Sequence, residues 1–594
     1  MLAPLALDAL PTDVLVIMVL CMELKSIVAL SKTCRMFYDL INSSTMIQLY
    51  MELAADQVLL NPRLRPNYRS VEWYDRLIRI RKGWLNLQMR ALPPFKLSFD
   101  DNEMLSVIQS GVFTCGSRTP GGSDGVNRVK IVRLSTPLSS ACPERGAITN
   151  TYPVSVVSNG QYISAFRCCV EQDLIILGSL TSYGLCLAVH ALSEGSPHPL
   201  ARSPELKFRT DRFMGFAIHD PLPIQIHGGL VGVLLCSGRS GELIQWEVLI
   251  WNWKTGVLVF RKPTTSHTTA FTFLSATTYA LAEQQGSNAY LLIGDIDAGT
   301  NSLAIPPRFK LELPGLSPGW RYGSIYFRNE LPSTVQDSCE SDQAFLADPQ
   351  AGVMYLSVGL SGPLSSLGGE RVAFIPHIGL FISRASLLAT TSQLDHTGYE
   401  PVVLHWNQWG EYSTRWLDMG ETPGMLANVH GSRIVRSVRR HPAGTAWMQV
   451  LDFNPLAVRR YPSPYADSAS VNEPKQLRIG NFSASFERLS DTLAHVRWEA
   501  TRPNSVMVEC FDNEYPTVLD IPGAFLHEVS SRLPYRCVTH VAPCRPNSEW
   551  TLDGEYLLRL DEPEGGIGSL TVHPYAIFDR SEAGGLSAFG LGAS

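Results

Sequence analysis

The sequence predicts two fold classes in tandem: a small all-α module with a helical stalk at the N-terminus, and a large all-β region behind it. Three observations carry this. Apolar side chains between residues 10 and 41 repeat at i, i+3 and i+4. Beyond Pro94 the apolar runs are short and bounded by Gly, Pro, Ser and Asn, with no long helical period to the end of the chain. The 46 Gly and 39 Pro among 594 residues demand many turns, which favours short strands over long helices.

The first element opens with Leu10-Pro11, then Thr12 as a capping hydroxyl and Asp13 as an acid in the first turn. From Val14 to Met22 every residue is apolar. Glu23 and Lys25 carry the pattern on at helical spacing, Leu24, Ile27 and Val28 share one face, and Cys34, Phe37, Tyr38 and Ile41 share another. Asn42-Ser43-Ser44 breaks the period, so three short helices are expected. The first is apolar all round and must be buried all round. About 35 residues are too few to do this alone. The cover is either the rest of the chain or another protein.

Leu10-Pro11, Asp13, Val14-Leu15, Met18, Leu24, Ile27-Val28, Leu30, Cys34-Arg35, Phe37 and Leu40 follow L-P-x-[DE]-[VL]-L, spaced Leu, then C-[RK]-x-[WF] without a gap. The stretch resembles the F-box, the short module that docks substrate receptors onto the Skp-type linker subunit of cullin–RING ubiquitin ligases. It departs at Val19, where Phe is common, and at Phe37, where Trp is common; both keep an apolar side chain. The resemblance places the F-box at residues 8–43. It implies Skp-subunit contacts through Leu10, Pro11, Val14, Leu15, Met18, Leu24, Ile27, Leu30, Cys34 and Phe37. Some of these also hold the three helices together.

Next comes a T-x-x-Q capping box from Thr45 to Gln48 and a helix through STMIQLYMELAAD. Ile47 to Leu53 resembles the segment that follows the F-box in an expanded group of fungal F-box proteins. Pro62 and Pro66 interrupt, and Ser70 starts a further helix in which Tyr74, Leu77, Ile78, Trp84 and Leu85 share a face, stopped by Pro93-Pro94. Arg76, Arg79, Arg81 and Lys82 form the other face, read as a solvated stripe. Residues 44–97 are therefore expected to be a helical linker or stalk.

In the β region, Leu243 to Phe260 places two strands rich in Val, Ile and Trp around a Lys-Thr-Gly turn, with Trp251-Asn252 where a propeller repeat of the WD type carries Trp-Asp. Gly195 is the counterpart of Gly256, and Leu134, Gly299, Gly352, Trp406-Asn407, Asp452 and Asp512 continue the series. Intervals of roughly 43 to 61 residues suit four-stranded blades with uneven loops. One propeller of about seven blades over residues 98–580 is expected, with eight blades, a sandwich pair or two smaller propellers as the alternatives. The phrases from Trp251 to Gly256, Phe271 to Leu274 and Ser531 to Arg536 also resemble the fungal group. Residues 581–594, with Gly584, Gly585, Gly590 and Gly592, read as a disordered tail.

A net charge of -6 argues against nucleic acid. No apolar run reaches the ~20 residues of a membrane span. Asp8 and Asp13 around the first apolar run are unlike a signal peptide. The 12 cysteines show no C-x-x-C and no zinc spacing, so buried free thiols of an intracellular, cytoplasmic or nuclear protein are expected, with no metal and no cofactor. Gly121 to Gly125 fits G-x-S-x-G, but Arg118-Thr119-Pro120 precede it in place of an apolar strand, so a surface loop is expected. His219 and His227 flank a Pro-rich loop beside Asp220 and read as turn or surface residues. Arg433, Arg436, Arg439, Arg440 and His441 are the candidate grip on an acidic or phosphorylated target, against a charged strand edge.

The whole reads as a non-catalytic substrate-recognition adaptor of an SCF-type ubiquitin ligase: the F-box docks on the Skp-type subunit and through it on a cullin, and the propeller presents a target protein. A propeller hydrolase and a scaffold that meets no cullin are the rivals.

Overall fold

The computed structural model describes residues 10–62, 64, 69–91, 94–98, 103–109, 112–117, 128–133, 148–152, 163–181, 184–209, 213–216, 224–238, 245–264, 268–296, 306–328, 343–363, 372–394, 400–419, 429–440, 445–461, 477–479, 506–544, 548–554, 556–561 and 569–577. The first three helices are α1 (Thr12–Leu20), α2 (Leu24–Ser31) and α3 (Arg35–Ser43). The cap of α1 is Pro11, with Thr12 already inside the helix. Proline's fixed φ and missing donor suit a helix entry. α4 (Thr45–Asp56) is capped by Ser44, whose hydroxyl accepts from Ile47 N, while Gln48 turns away to donate to Ile41 O; the expected Thr45–Gln48 box is not formed. β1 (Val58–Leu60) and α5 (Ser70–Leu85) follow.

The stalk expectation for residues 44–97 is corrected, because this segment is built into the β region. β2 (Met89–Ala91) and β3 (Phe95–Ser98) pair with the last described strand, β37 (Ser569–Ile577). β1 pairs with β22 (Phe345–Ala347). The reason is apolar area: Trp73, Leu77, Leu49 and Leu53 pack on Ala344 and Phe345, and Trp84 and Leu87 join a core between two sheets.

Seven sheets of four or five strands follow one another in chain order among the described residues. The first holds β4 (Glu103–Gln109), β5 (Val112–Ser117), β6 (Arg128–Arg133) and β7 (Ile148–Tyr152). The second holds β8 (Ile163–Cys169), β9 (Leu174–Thr181), β10 (Gly184–Ala191) and β11 (Glu205–Arg209). In the third, β12 (Phe213–Phe216) and β13 (Ile224–His227) share β14 (Leu230–Gly238), followed by β15 (Gln245–Asn252) and β16 (Val257–Thr264). The fourth runs β17 (Thr268–Phe273), β18 (Thr278–Gln285), β19 (Asn288–Asp295) and β20 (Phe309–Glu312), with β25 (Val402–Leu404) added in parallel. The fifth holds β21 (Arg321–Phe327), β23 (Val353–Pro363), β24 (Val372–Ser383) and β26 (Thr414–Asp418). The sixth runs β27 (Val429–His430), β28 (Arg433–Arg440), β29 (Thr445–Asp452), β34 (Tyr535–Cys544) and β31 (Val506–Phe511). The seventh holds β35 (Ser548–Asp553), β36 (Tyr556–Asp561) and β37, completed by β2 and β3. A small sheet of β30 (Leu477–Ile479), β32 (Thr517–Leu519) and β33 (Val529–Ser531) lies outside this series.

Consecutive sheets share their cores. On β14, Val231, Val233 and Leu235 face the second sheet, whereas Leu230 and Leu234 face the fourth. β15 divides in the same way, with Leu249 and Trp251 on one side and Val248 and Ile250 on the other. β23 sends Met354, Leu356 and Val358 to the fourth sheet and Tyr355 to the sixth. Strand side chains alternate between faces, so a sheet sandwiched on both sides needs continuous apolar runs rather than polar alternation.

The Trp251-Asn252 mark sits at a hairpin: Asn252 Oδ1 accepts from Lys254 N and Thr255 N, and Gly256 takes φ +75°. Gly195, at φ +68°, makes the same turn between β10 and β11. Trp406-Asn407 does not follow suit. His405 and Gln408 form a reciprocal cap there, and the segment becomes α7 (Trp406–Ser413). With α6 (Arg384–Gln393) and α8 (Pro455–Arg460), it is one of three short α-helices among the described residues beyond Pro94. Gly299, His219, Asp220, the Gly121–Gly125 motif and the 581–594 tail lie outside the described residues. His227 is corrected from a surface residue: it is buried on β13 and stacks on Phe273 at 5.9 Å.

Candidate functional site

The candidate site is the outer face of α1–α3. Together with α4 these helices close a core from Val19, Ile27, Ile41 and Ile47, with Val16, Leu20, Leu30 and Leu40 packed against it. Tyr50 of α4 donates to Met22 O at 3.1 Å and ties the group to the next helix. A helix apolar on every side has more apolar surface than so small a core can take up. The surplus stays outside: Val14, Ile17 and Met18 are exposed, Ile17 by 62%. Spaced i, i+3 and i+4 with Cys21, they lie along one face of α1. Val28 of α2 and Tyr38 of α3 (57% exposed) add further apolar surface, and Cys34 is exposed between these helices.

The structure sorts the ten expected docking residues into three groups. Pro11, Val14, Met18 and Cys34 are exposed; Leu10, Leu24, Leu30 and Phe37 are half-buried. Leu15 and Ile27 are buried, Ile27 completely, so in this chain both support the module from inside. The ten expected residues did not include Ile17 and Tyr38, which are exposed. Their signal was present, since Ile17 is three residues from Val14 and Tyr38 follows Phe37, but only the packing shows which apolar residue of each helix faces out. The expectation of buried thiols holds for Cys168, Cys169, Cys186 and Cys537 and fails for Cys21 and Cys34.

The helices behind this face are tied to the β region by ion pairs and hydrogen bonds. Arg81 of α5, expected in a solvated stripe, is buried instead and placed 2.6 Å from Glu52 Oε2 and 2.8 Å from Asp56 Oδ1 on α4. Burial works against the Arg81 charge, but the two carboxylates outweigh it and raise its pKa above the ordinary value. Arg460 of α8 reaches Glu52 from the β side at 2.6 Å. Burial opposes the Glu52 charge, and the two guanidiniums overcome it, holding the carboxyl below its usual range. Asn454 Nδ2 donates to Ala55 O at 2.7 Å, Asn61 Nδ2 to Gln343 O at 2.8 Å, and Asp348 N to Gln57 O at 3.0 Å.

Of the arginine candidates for target capture, the side chains of Arg433 and Arg436 are described. Arg433 pairs with Asp452 at 2.9 Å and stacks over Trp84 at 5.0 Å. Arg436 donates to Gln449 Oε1 at 2.8 Å and to Asp418 O. Both are committed within the chain. The side chains of Arg439 and Arg440, and His441, lie outside the described residues. Among the described residues no group of three or more His, Cys, Asp or Glu is placed to hold a metal ion, and no helix is long and apolar enough to cross a membrane.

No family model matches the chain, and no curated protein matches it. Among solved structures it is similar to an uncharacterized protein, lmo1340, from Listeria monocytogenes EGD-e (8% identity, 59% of this chain and 92% of that one, TM-score 0.24). It is also similar to the polysaccharide lyase Uly1 (10% identity, 48% and 58%, TM-score 0.22). A third is the quinohemoprotein alcohol dehydrogenase ADHIIG from Pseudomonas putida HK5 (8% identity, 63% and 73%, TM-score 0.25). Likenesses this slight carry no argument about function.

Proposed function

We propose that the chain is the non-catalytic substrate-recognition subunit of an SCF-type ubiquitin ligase. The outer face of α1–α3 docks on a Skp-type linker subunit and so on a cullin, and the β region presents a target protein. The observation that carries the reading is the exposed apolar row Val14, Ile17, Met18 on a module whose own core is already closed. Such a row, framed by Pro11 and Cys34 of the F-box-like pattern, suits the apolar centre of a protein interface.

The seven sheets are read as the seven blades of one propeller. Support comes from their succession in chain order and from cores shared between each sheet and the next from the first to the seventh. The pairing of β37 with β2 and β3 adds to it, since the last blade then takes strands from the other end of the chain. The mechanism is proximity: a bound target has its lysines held near a charged ubiquitin-conjugating enzyme supplied in trans. Its place is inside the cell, in cytoplasm or nucleus, with its partners.

The test is reconstitution of the full-length chain with a Skp-type subunit. Co-elution in size-exclusion chromatography is expected, and its loss in a Val14→Asp/Met18→Asp variant that keeps its circular dichroism. Failure of the unmodified chain to bind any Skp-type subunit of its own proteome would end this reading.

A further inference from the structure

A cleft of about 430 Å³ opens where the end of α5 and β2 meet the sixth and seventh sheets. Its apolar wall is Leu87, Met89 and Val506, and Trp550 and Tyr575, with ring centroids 5.4 Å apart, give it an aromatic wall. Asn86, Gln88, His540 and Arg559 are its polar lining, and no carboxylate lines it among the described residues. A concavity of this size and mixture is typical of a small-ligand site.

Two donors in its walls lack acceptors. Trp550 on β35 and Arg559 on β36 are direct cross-strand partners, so their side chains rise side by side from one face of the sheet. Trp550 is 5% exposed, and its buried Nε1–H has no hydrogen-bond acceptor among the described residues. The buried Nε–H of Arg559 has none either, although its Nη2 lies 3.0 Å from Asp561 Oδ2. That carboxylate is itself heavily engaged: Ser548 Oγ donates to its other oxygen at 2.6 Å, and His573 Nε2 lies 3.1 Å from Oδ2. Buried donors of this kind cost free energy until an acceptor arrives. The wall also presents the Arg559 guanidinium, whose described ion-pair partner is Asp561.

We propose that this cleft binds a carboxylate carried on an apolar or aromatic body, with the body between the Leu87–Met89–Val506 wall and the Trp550–Tyr575 wall and the oxygens toward the Arg559 and Trp550 N–H groups. This goes beyond the adaptor reading and does not depend on the Skp-type interaction. The same chemistry has two sources: a free small acid, or the C-terminal residue of a polypeptide.

The experiment is calorimetric titration of the full-length protein, followed in parallel by tryptophan fluorescence. The probes are N-acetyl-phenylalanine, its amide, and a hexapeptide ending in phenylalanine with a free carboxylate. The acid is expected to bind at least tenfold more tightly than the amide. Trp550→Phe, which keeps the ring and removes the N–H, and Arg559→Gln should each reduce that preference several-fold. If Arg559→Gln unfolds because Asp561 loses its partner, Trp550→Phe alone decides. A hexapeptide tenfold tighter than the acid assigns the cleft to a polypeptide terminus, and equal affinity assigns it to a free acid; both support the site. Acid and amide binding equally, or neither binding at millimolar concentration, overturns it.

Discussion

Arg81 Nη1 lies 2.6 Å from Glu52 Oε2, an ion pair whose side chains are 7% and 15% exposed. It joins α4 to α5, and through Arg460 on the same carboxylate it joins both to α8 of the β region. The N-terminal helices are therefore tied to the β region through α4, α5 and α8.

The first prediction follows from this pair. Arg81→Met leaves Glu52 and Asp56 buried with one cation fewer, so it should destabilise the chain by about 3 kcal/mol, the usual scale for breaking a buried pair. Adding Asp56→Asn should recover part of the loss by removing the stranded charge. Urea unfolding of the single and double variants checks this. Additive losses in the double variant would count against a shared ionic joint.

The second concerns acid sensitivity. His227 is buried with both ring nitrogens lacking a hydrogen-bond partner among the described residues. Burial, assisted by the charge of Arg384, lowers its pKa from 6.5 to about 4. The unfolded chain takes up the proton below pH 6.5 and the folded chain resists until about pH 4. Stability is thus lost as pH falls through that window, by roughly 3 kcal/mol from this group at most. His227→Phe should flatten the window while leaving stability at pH 8 equal or higher. Denaturation midpoints at pH 8 and 5 for both proteins decide it.

The third separates docking from support. Ile17→Asp and Tyr38→Ala, at exposed positions, should weaken binding to a Skp-type subunit tenfold or more with little change in stability. Ile27→Ala should act the other way round, costing about 2–4 kcal/mol in the helical module through the cavity it leaves. Paired thermal and binding measurements on the three variants distinguish the classes. Loss of binding by Ile27→Ala alone would show that the exposed row is not the interface.

The fourth tests the last sheet. β37 pairs with β36 on one side and with β2 and β3 on the other. Ending the chain before Ser569 should leave three strands with open edges and produce aggregation. Light scattering of the shortened protein, against the full-length one at equal concentration, measures it. A monodisperse, equally stable product would remove β37 from any closing role.

Much was legible in the sequence because the signals were local. Helical periodicity located α1–α3, and the Gly256 and Gly195 turns announced themselves through residues that tolerate positive φ. The Val-, Ile- and Trp-rich run from Leu243 to Phe260 marked two strands around a turn. Tertiary structure decided the rest, because it depends on partners far apart in the chain. Nothing in residues 44–97 shows that Glu52 meets Arg460, or that Met89 pairs with Ile577. Without those partners Arg81 reads as a surface charge and the segment as a stalk. Leu15 and Val14 are equally apolar neighbours, and only the packing sends one inward and leaves the other in water. The cleft beside Trp550 belongs to the same class, since its walls come from residues 87 to 575 and meet only when the chain is folded.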